Sequence, residues 1–168
     1  DVIGVSVFKG DTITSLTLPE TVLELRSNAV SSCEKLTSVT LPQSLVVINR
    51  MNFFSCNALS EVTIPASVRY IGDTSFRFCD ALRKITFEGV TFEYKTNNNY
   101  IGLQHTDTMV YNNCVFNGQM FLYGASETFN GCTFHQDSAD TYNVWTYGAK
   151  EVEFNDCTFN CAGKSVLV

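Results

Sequence analysis

The sequence predicts a mainly-β solenoid, in which short strands stack turn upon turn. Three observations predict it. A 23-residue block recurs three times without gaps between residues 13 and 81. A different short motif, always ending in Phe, recurs four times between residues 87 and 159. No Pro-, Ser- or Gly-rich spacer separates the two arrays, and no proline follows Pro65, so they read as one rigid body rather than two tethered domains. A single repeat of this size cannot bury its own apolar face, so the repeats must stack.

The first array consists of "ITSLTLPETVLELRSNAVSSCEK" (13–35), "LTSVTLPQSLVVINRMNFFSCNA" (36–58) and "LSEVTIPASVRYIGDTSFRFCDA" (59–81). Ile13, Leu36, Leu59 and Leu82 open successive blocks, and Pro19, Pro42 and Pro65 recur. So do Leu25, Ile48 and Ile71, then Val30, Phe53 and Phe76, then Cys33, Cys56 and Cys79. Each block begins L-x-x-L-x-L, the strand signature of a leucine-rich repeat, and 23 residues lies within that class's range. The proline that follows lacks an N–H and ends the ladder. The whole pattern, LTSVTLP-x-S-V-x-x-IG-x-x-x-F-x-x-C, resembles the BspA-like leucine-rich repeats of bacterial surface proteins. Block three is nearest to it, whereas block one has "LR" in place of "IG" and Val30 in place of Phe. The resemblance implies adhesion to host proteins or to other cells, at the cell surface or outside it.

The second array consists of "FEGVTF" (87–92), "YNNCVF" (111–116), "FNGCTF" (129–134) and "FNDCTF" (154–159). The final Phe residues, Phe92, Phe116, Phe134 and Phe159, are spaced 24, 18 and 25 apart. A second echo, "FLYGA" (121–125) against "WTYGA" (145–149), also has a spacing of 24. Irregular rungs of 18–25 residues with alternating Phe, Cys and Thr predict a parallel β-helix, with an interior Phe ladder, a Cys ladder and Asn at the bends. This half resembles the right-handed β-helix repeats of bacterial surface and polysaccharide-active proteins. The expected architecture is therefore a leucine-rich-repeat solenoid (1–86) continuing into a right-handed parallel β-helix (87–168), each part advancing by one strand per turn. "FEGVTFEY" (87–94) belongs to both arrays: Phe87 completes "LRKITF" and also begins "FEGVTF", and Gly89 supplies the bend that proline supplied before.

Charge narrows the function. The net charge of −6 argues against nucleic acid as a partner. Residues 1–89 carry 9 acidic and 8 basic side chains, and residues 90–168 carry 8 and 3, with no arginine after Arg83. The second half thus lacks the usual clamp for phosphate or uronate carboxylates. The apolar runs are too short to span a membrane. The chain begins at Asp1 without an initiator Met and ends in "SVLV", which reads as a segment of a longer protein whose signal and anchor would lie outside it.

The seven cysteines form two columns, Cys33, Cys56, Cys79 and Cys114, Cys132, Cys157, with Cys161 besides. Paired C-x-x-C spacing is absent, so metal binding is not indicated. Buried thiols acting as small apolar residues are the ordinary reading, with disulfides as the alternative. His105 and His135 each lie near an Asp but have no recurring partner or nucleophile, and read as loop histidines. A polysaccharide lyase or hydrolase would need convergent carboxylates and a base. Asp137, Asp140, Glu151, Glu153, Asp156 and Lys150 are the available residues, yet no acidic pair recurs at rung spacing. We therefore expect a protein without catalytic residues, cofactor or metal.

Two surfaces are candidates for ligand contact. Thr17, Thr40, Thr63 and Thr86 fall between the last two apolar positions of L-x-x-L-x-L and should point outward. The ordinary reading is β-propensity on a wet sheet; the functional one is a shallow face for protein ligands. Tyr142, Trp145 and Tyr147 follow the longest insertion, with Tyr123 one rung earlier. If outward they form an aromatic platform for sugars or protein; if inward they are core, the commoner fate. The favoured function is binding of host or cell-surface proteins. The alternatives are glycan binding or processing by the β-helix part, and a stalk that spaces another domain.

Overall fold

The computed structural model describes residues 1–72, 74–94, 108–118, 120–121, 126–137, 142–146 and 149–167, without the side chains of 92–94, 120–121, 142–143, 145, 164–165 and 167. The leucine-rich part supplies β1 (Val2–Ile3), β2 (Ser15–Thr17), β3 (Glu24–Leu25), β4 (Ser38–Thr40), β5 (Val47–Ile48), β6 (Glu61–Ile64) and β7 (Tyr70–Ile71). The remainder supplies β8 (Lys84–Glu88), β9 (Thr91–Tyr94), β10 (Thr108–Asn112), β11 (Val115–Gly118), β12 (Met120–Phe121), β13 (Ser126–Asn130), β14 (Thr133–Gln136), β15 (Tyr142–Trp145), β16 (Glu151–Asn155), β17 (Thr158–Cys161) and β18 (Lys164–Leu167). Every described strand pair is parallel, and no helix occurs among the described residues. The protein is a parallel β-solenoid.

The expectation of one strand per turn is corrected. Among the described residues the leucine-rich turns carry two strands, the turn at the join carries β8 and β9, and each of the three turns after it carries three. The sheets run β2-β4, β1-β3-β5-β7, β6-β8-β10-β13-β16, β9-β11-β14-β17 and β12-β15-β18. The second strand of a leucine-rich turn is only two residues long, so its register hangs on a single apolar column, Ile3, Leu25, Ile48 and Ile71. A two-residue strand carries too little alternation to be read from sequence.

The change of repeat type occurs inside a sheet. β8 pairs with β6 on one side and β10 on the other, so Ile64, Phe87 and Tyr111 stand in register. At the following corner the device changes. Pro65 is replaced by Glu88, and the next residue becomes left-handed: Gly89 (φ 64°), Asn113 (φ 52°), Gly131 (φ 60°) and Asp156 (φ 53°). A Cβ on Gly89 would come within 3.0 Å of the Ala66 Cβ, which explains glycine at the first of these corners. The reversed backbone sends the N–H of each corner residue forward along the stack. Gly89 donates to the Asn112 carbonyl at 2.7 Å, Asn113 to Asn130 at 2.8 Å and Gly131 to Asn155 at 2.8 Å.

The leucine-rich turns use the same device at their own bends. Ser6, Asn28, Met51 and Thr74 form one left-handed column, and Gly10, Ser32, Ser55 and Phe78 form another four residues on. In the second, Gly10 donates to the Ser31 carbonyl, Ser32 to Phe54 and Ser55 to Arg77.

Two aromatic columns fill the later core. Phe87, Tyr111, Phe129 and Phe154 stack at 5.0, 4.7 and 5.1 Å between centroids, with ring planes within 13°. Phe116, Phe134 and Phe159 stack at 4.8 and 4.7 Å. The columns meet edge to face, as in Phe116 against Phe129 at 5.6 Å and 76°. Ring spacing matches the strand spacing of a sheet, so identical side chains in register must stack. Leu18, Leu41 and Ile64 carry the first of these columns down into the leucine-rich turns.

Candidate binding surface

The longest sheet and its forerunners turn one face outward. Ser15 and Thr17 are in register with Ser38 and Thr40. Glu61 and Thr63 are in register with Lys84 and Thr86. The same two ranks continue through Thr108 and Val110, Ser126 and Thr128, to Glu151 and Glu153. Thr17, Thr40 and Thr63 are exposed and Thr86 is half-buried. The outward placement follows from alternation: Leu18, Leu41, Ile64 and Phe87, one residue on, are all buried. Of the aromatic candidates, Tyr123 and Tyr147 lie outside the described residues. Tyr142 and Trp145 lie on β15, but their side chains are outside the described set; between them Val144 is fully buried.

A polar ladder lines the edge of this face. Asn155 Nδ2 donates to Asn130 Oδ1 at 3.0 Å, Asn130 Nδ2 to Asn112 Oδ1 at 2.9 Å, and Asn112 Nδ2 to Glu88 Oε1 at 2.8 Å. These are the bend asparagines read from the repeat, with Glu88 standing where the later rungs have Asn.

The cysteines are free thiols; Cys33, Cys56, Cys79, Cys114 and Cys132 are buried, and Cys157 and Cys161 half-buried. Both columns have a chemical role beyond filling space. Each thiol donates to a carbonyl one turn back: Cys33 to Phe8, Cys56 to Val30, Cys79 to Phe53, Cys114 to Phe87, Cys132 to Tyr111 and Cys157 to Phe129, at 2.9–3.4 Å. The two columns occupy different corners, one ahead of the L-x-x-L-x-L strand and one behind it. Burial pushes the Cys79 thiol up to about 12 and raises Cys56 and Cys33 as well. The Cys132 thiol, and then burial, raise Cys114.

The residues weighed for polysaccharide chemistry are distributed around the turn. Lys150 and Glu151 stand at the start of β16, Glu153 on its outer face, and Asp156 at the corner past its end. Asp137 follows β14, and His135 lies on β14 in register with Asn117 and Asn160. Asp140 and His105 lie outside the described residues. No group of three His, Cys, Asp or Glu residues suited to a metal ion occurs among the described residues. No described helix is long and apolar enough to cross a membrane.

One titratable group escaped the sequence reading. Glu127 is 1% exposed and occupies the inward column Val62, Ile85, Met109, Glu127, Val152. Among the described residues no donor meets either carboxylate oxygen in hydrogen-bonding geometry. The nearby Tyr111 hydroxyl donates to the Met109 sulfur at 3.5 Å. Burial raises the Glu127 carboxyl to about 8, and the Tyr111 hydroxyl only partly opposes it. Phe129 is two residues on and buried, so alternation along "SETF" would have placed Glu127 inside.

Comparison with known proteins agrees with the repeat pattern. A family described as BspA type Leucine rich repeat region matches residues 1–119 in six copies. The match runs beyond residue 87 and through β10 and β11. A solved leucine-rich repeat protein from Bacteroides ovatus is similar at 18% identity and a TM-score of 0.45, over 95% of this chain and 66% of that one. This chain thus spans about two thirds of the length of that solved protein. No curated protein matches. With its 23-residue columns, its parallel turns and a family match over most of its length, the chain belongs to the BspA-type leucine-rich repeat family.

Proposed function

We propose that the chain is a non-catalytic adhesion module, secreted or displayed on a cell surface, that holds host or cell-surface proteins on its hydroxyl-rich face. A repeat-based binding module is what the family membership supports. The observation that carries the finer reading is the in-register exposure of Thr17, Thr40 and Thr63, continued by Thr86 on a stacked sheet. Such a face offers hydroxyls and methyl groups at the inter-strand spacing, about 4.8 Å, and has little side-chain entropy to lose on binding. The charges among these turns, Glu61 and Lys84, are adjacent and of opposite sign, so the face is close to neutral.

The test is binding of this 168-residue chain to immobilised matrix and cell-surface proteins, with Thr17→Lys, Thr40→Lys and Thr63→Lys combined in one variant. Saturable binding that the triple variant loses supports the proposal. Absence of saturable binding, or binding that survives the triple change, overturns it. Binding confined to a glycan array would move the function to the β-helix part.

A further inference from the structure

The left-handed column Gly10, Ser32, Ser55, Phe78 contains an anomaly. Its first three members are small, as a positive φ favours, whereas the fourth is Phe at φ 61°. A bulky residue in this region is a genuine outlier, and such strain clusters at functional positions. Phe78 gains no core packing in return: it is 41% exposed.

Its neighbours are aromatic, Met and Arg side chains, types enriched at protein interfaces. The Arg77 guanidinium lies over the Phe78 ring at 4.7 Å, and Phe54 meets that ring edge-on at 5.2 Å and 77°. Arg77 occupies the same column as Phe54 one turn below, so aromatic and cation are held side by side by the stack. Arg77 Nε is buried and has no acceptor among the described residues. In the turn of Phe54, exposed Arg50 reaches only the Met51 sulfur, at 3.8 Å. Among the described residues neither Arg50 nor Arg77 pairs with a carboxylate, Asp80 included; the ion pair that does form is Arg26 with Glu24. Arg50 and Arg77 thus bring to these bends two guanidinium groups without a carboxylate partner among the described residues.

We propose that Phe54, Arg77 and Phe78, with Met51 and Arg50, form a docking site for an extended partner peptide that places a carboxylate beside an aromatic or aliphatic side chain. The guanidinium face is committed to Phe78 and its edge remains for a carboxylate, the planar group that this fork matches. The exposed Phe78 ring and the half-buried Phe54 beside it take the apolar neighbour. The site lies at the bends of the leucine-rich turns and is separate from the Thr17–Thr86 face.

The decisive variant is Phe78→Ser, which installs the residue that Ser32 and Ser55 already use in this column. It should fold, because Ser32 and Ser55 hold the same left-handed bend in the turns below. A random heptapeptide library displayed on phage is selected on the wild-type chain and counter-selected on Phe78→Ser. Enriched peptides should carry Asp or Glu next to an aromatic or Leu. As synthetic peptides they should lose tenfold or more in affinity on Phe78→Ser and on Arg77→Met. No enrichment, enriched peptides without acids, or equal binding to Phe78→Ser overturns the proposal. Concentration-dependent dimers in sedimentation that Phe78→Ser abolishes would assign the patch to a second copy of the chain instead.

Discussion

Replacing Glu127 by Met should stabilise the protein, and the gain should depend on pH. Met109 holds the same column position one turn earlier, so a side chain of this length and shape fits there. In the unfolded chain a Glu titrates near 4.5, whereas in the fold the carboxyl titrates near 8. The raised value means that the folded state holds its proton over a range in which the unfolded chain has released it. The stability is therefore fully present below pH 4.5 and is lost as pH rises through 8. At pH 7 the gap of about 2.5 pH units from the unfolded value, at 1.36 kcal/mol each, amounts to about 3 kcal/mol; above pH 9 it reaches about 5 kcal/mol. Glu127→Met removes this penalty. Urea unfolding from pH 4.5 to 9 should show the wild-type midpoint falling across the range, the variant's midpoint nearly flat, and the two converging at the acid end. Wild-type stability that does not fall between pH 5 and 9, or a variant less stable than wild type at pH 8, would refute the reasoning.

Other changes should act through the stack. Phe116→Ala empties a site that touches both aromatic columns and should cost about 3–5 kcal/mol in denaturant unfolding. Asn130→Asp removes the donor to Asn112 while keeping size, and should cost about 1–2 kcal/mol; Asn130→Gln, which retains the amide, should recover part of it. Timed alkylation read by mass spectrometry should modify Cys157 and Cys161 first. Cys33, Cys56, Cys79, Cys114 and Cys132 should react only on unfolding, because burial shields all five and, in Cys33, Cys56 and Cys79, also disfavours the thiolate. Early labelling of Cys56 would contradict the buried column.

What the sequence made legible was whatever repeats as a residue type. The columns of Leu36, Phe53, Cys56 and their equivalents fixed the turn length, and the last Phe of each later motif located an interior ladder. Residues that act through backbone shape were not legible. Asn28, Met51 and Thr74 share a left-handed bend but no chemistry, and Ser32, Ser55 and Phe78 share another. Asn28, Ser32 and Ser55 aim an N–H along the stack there, which their side chains do not advertise; at the later bends Gly89 does. Glu127 was missed for a different reason. The later motif begins at its first aromatic, and the residue two places ahead of it, Ile85, Met109, Glu127 or Val152, lies outside that motif. The Thr ranks were legible because strand alternation is a strict rule. The aromatic candidates Tyr123, Tyr142, Trp145 and Tyr147 follow an irregular insertion, where no column fixes what faces inward.

The Glu88–Asn112–Asn130–Asn155 ladder gives the solenoid a sense of direction. A carboxylate can only receive hydrogen bonds, so Asn112 must turn its NH2 toward Glu88 and its oxygen away. That oxygen obliges Asn130 to do the same, and Asn130 obliges Asn155. One acidic side chain at the join thus sets the orientation of three amides, the last of them two turns beyond the first. The string of dipoles runs one way, with a receiving end at Glu88 and an unspent acceptor at Asn155. A turn grafted beyond Asn155 inherits that orientation if it brings an Asn to the same column. Glu88→Gln would leave the string without a fixed sense, since an amide can be read in either direction.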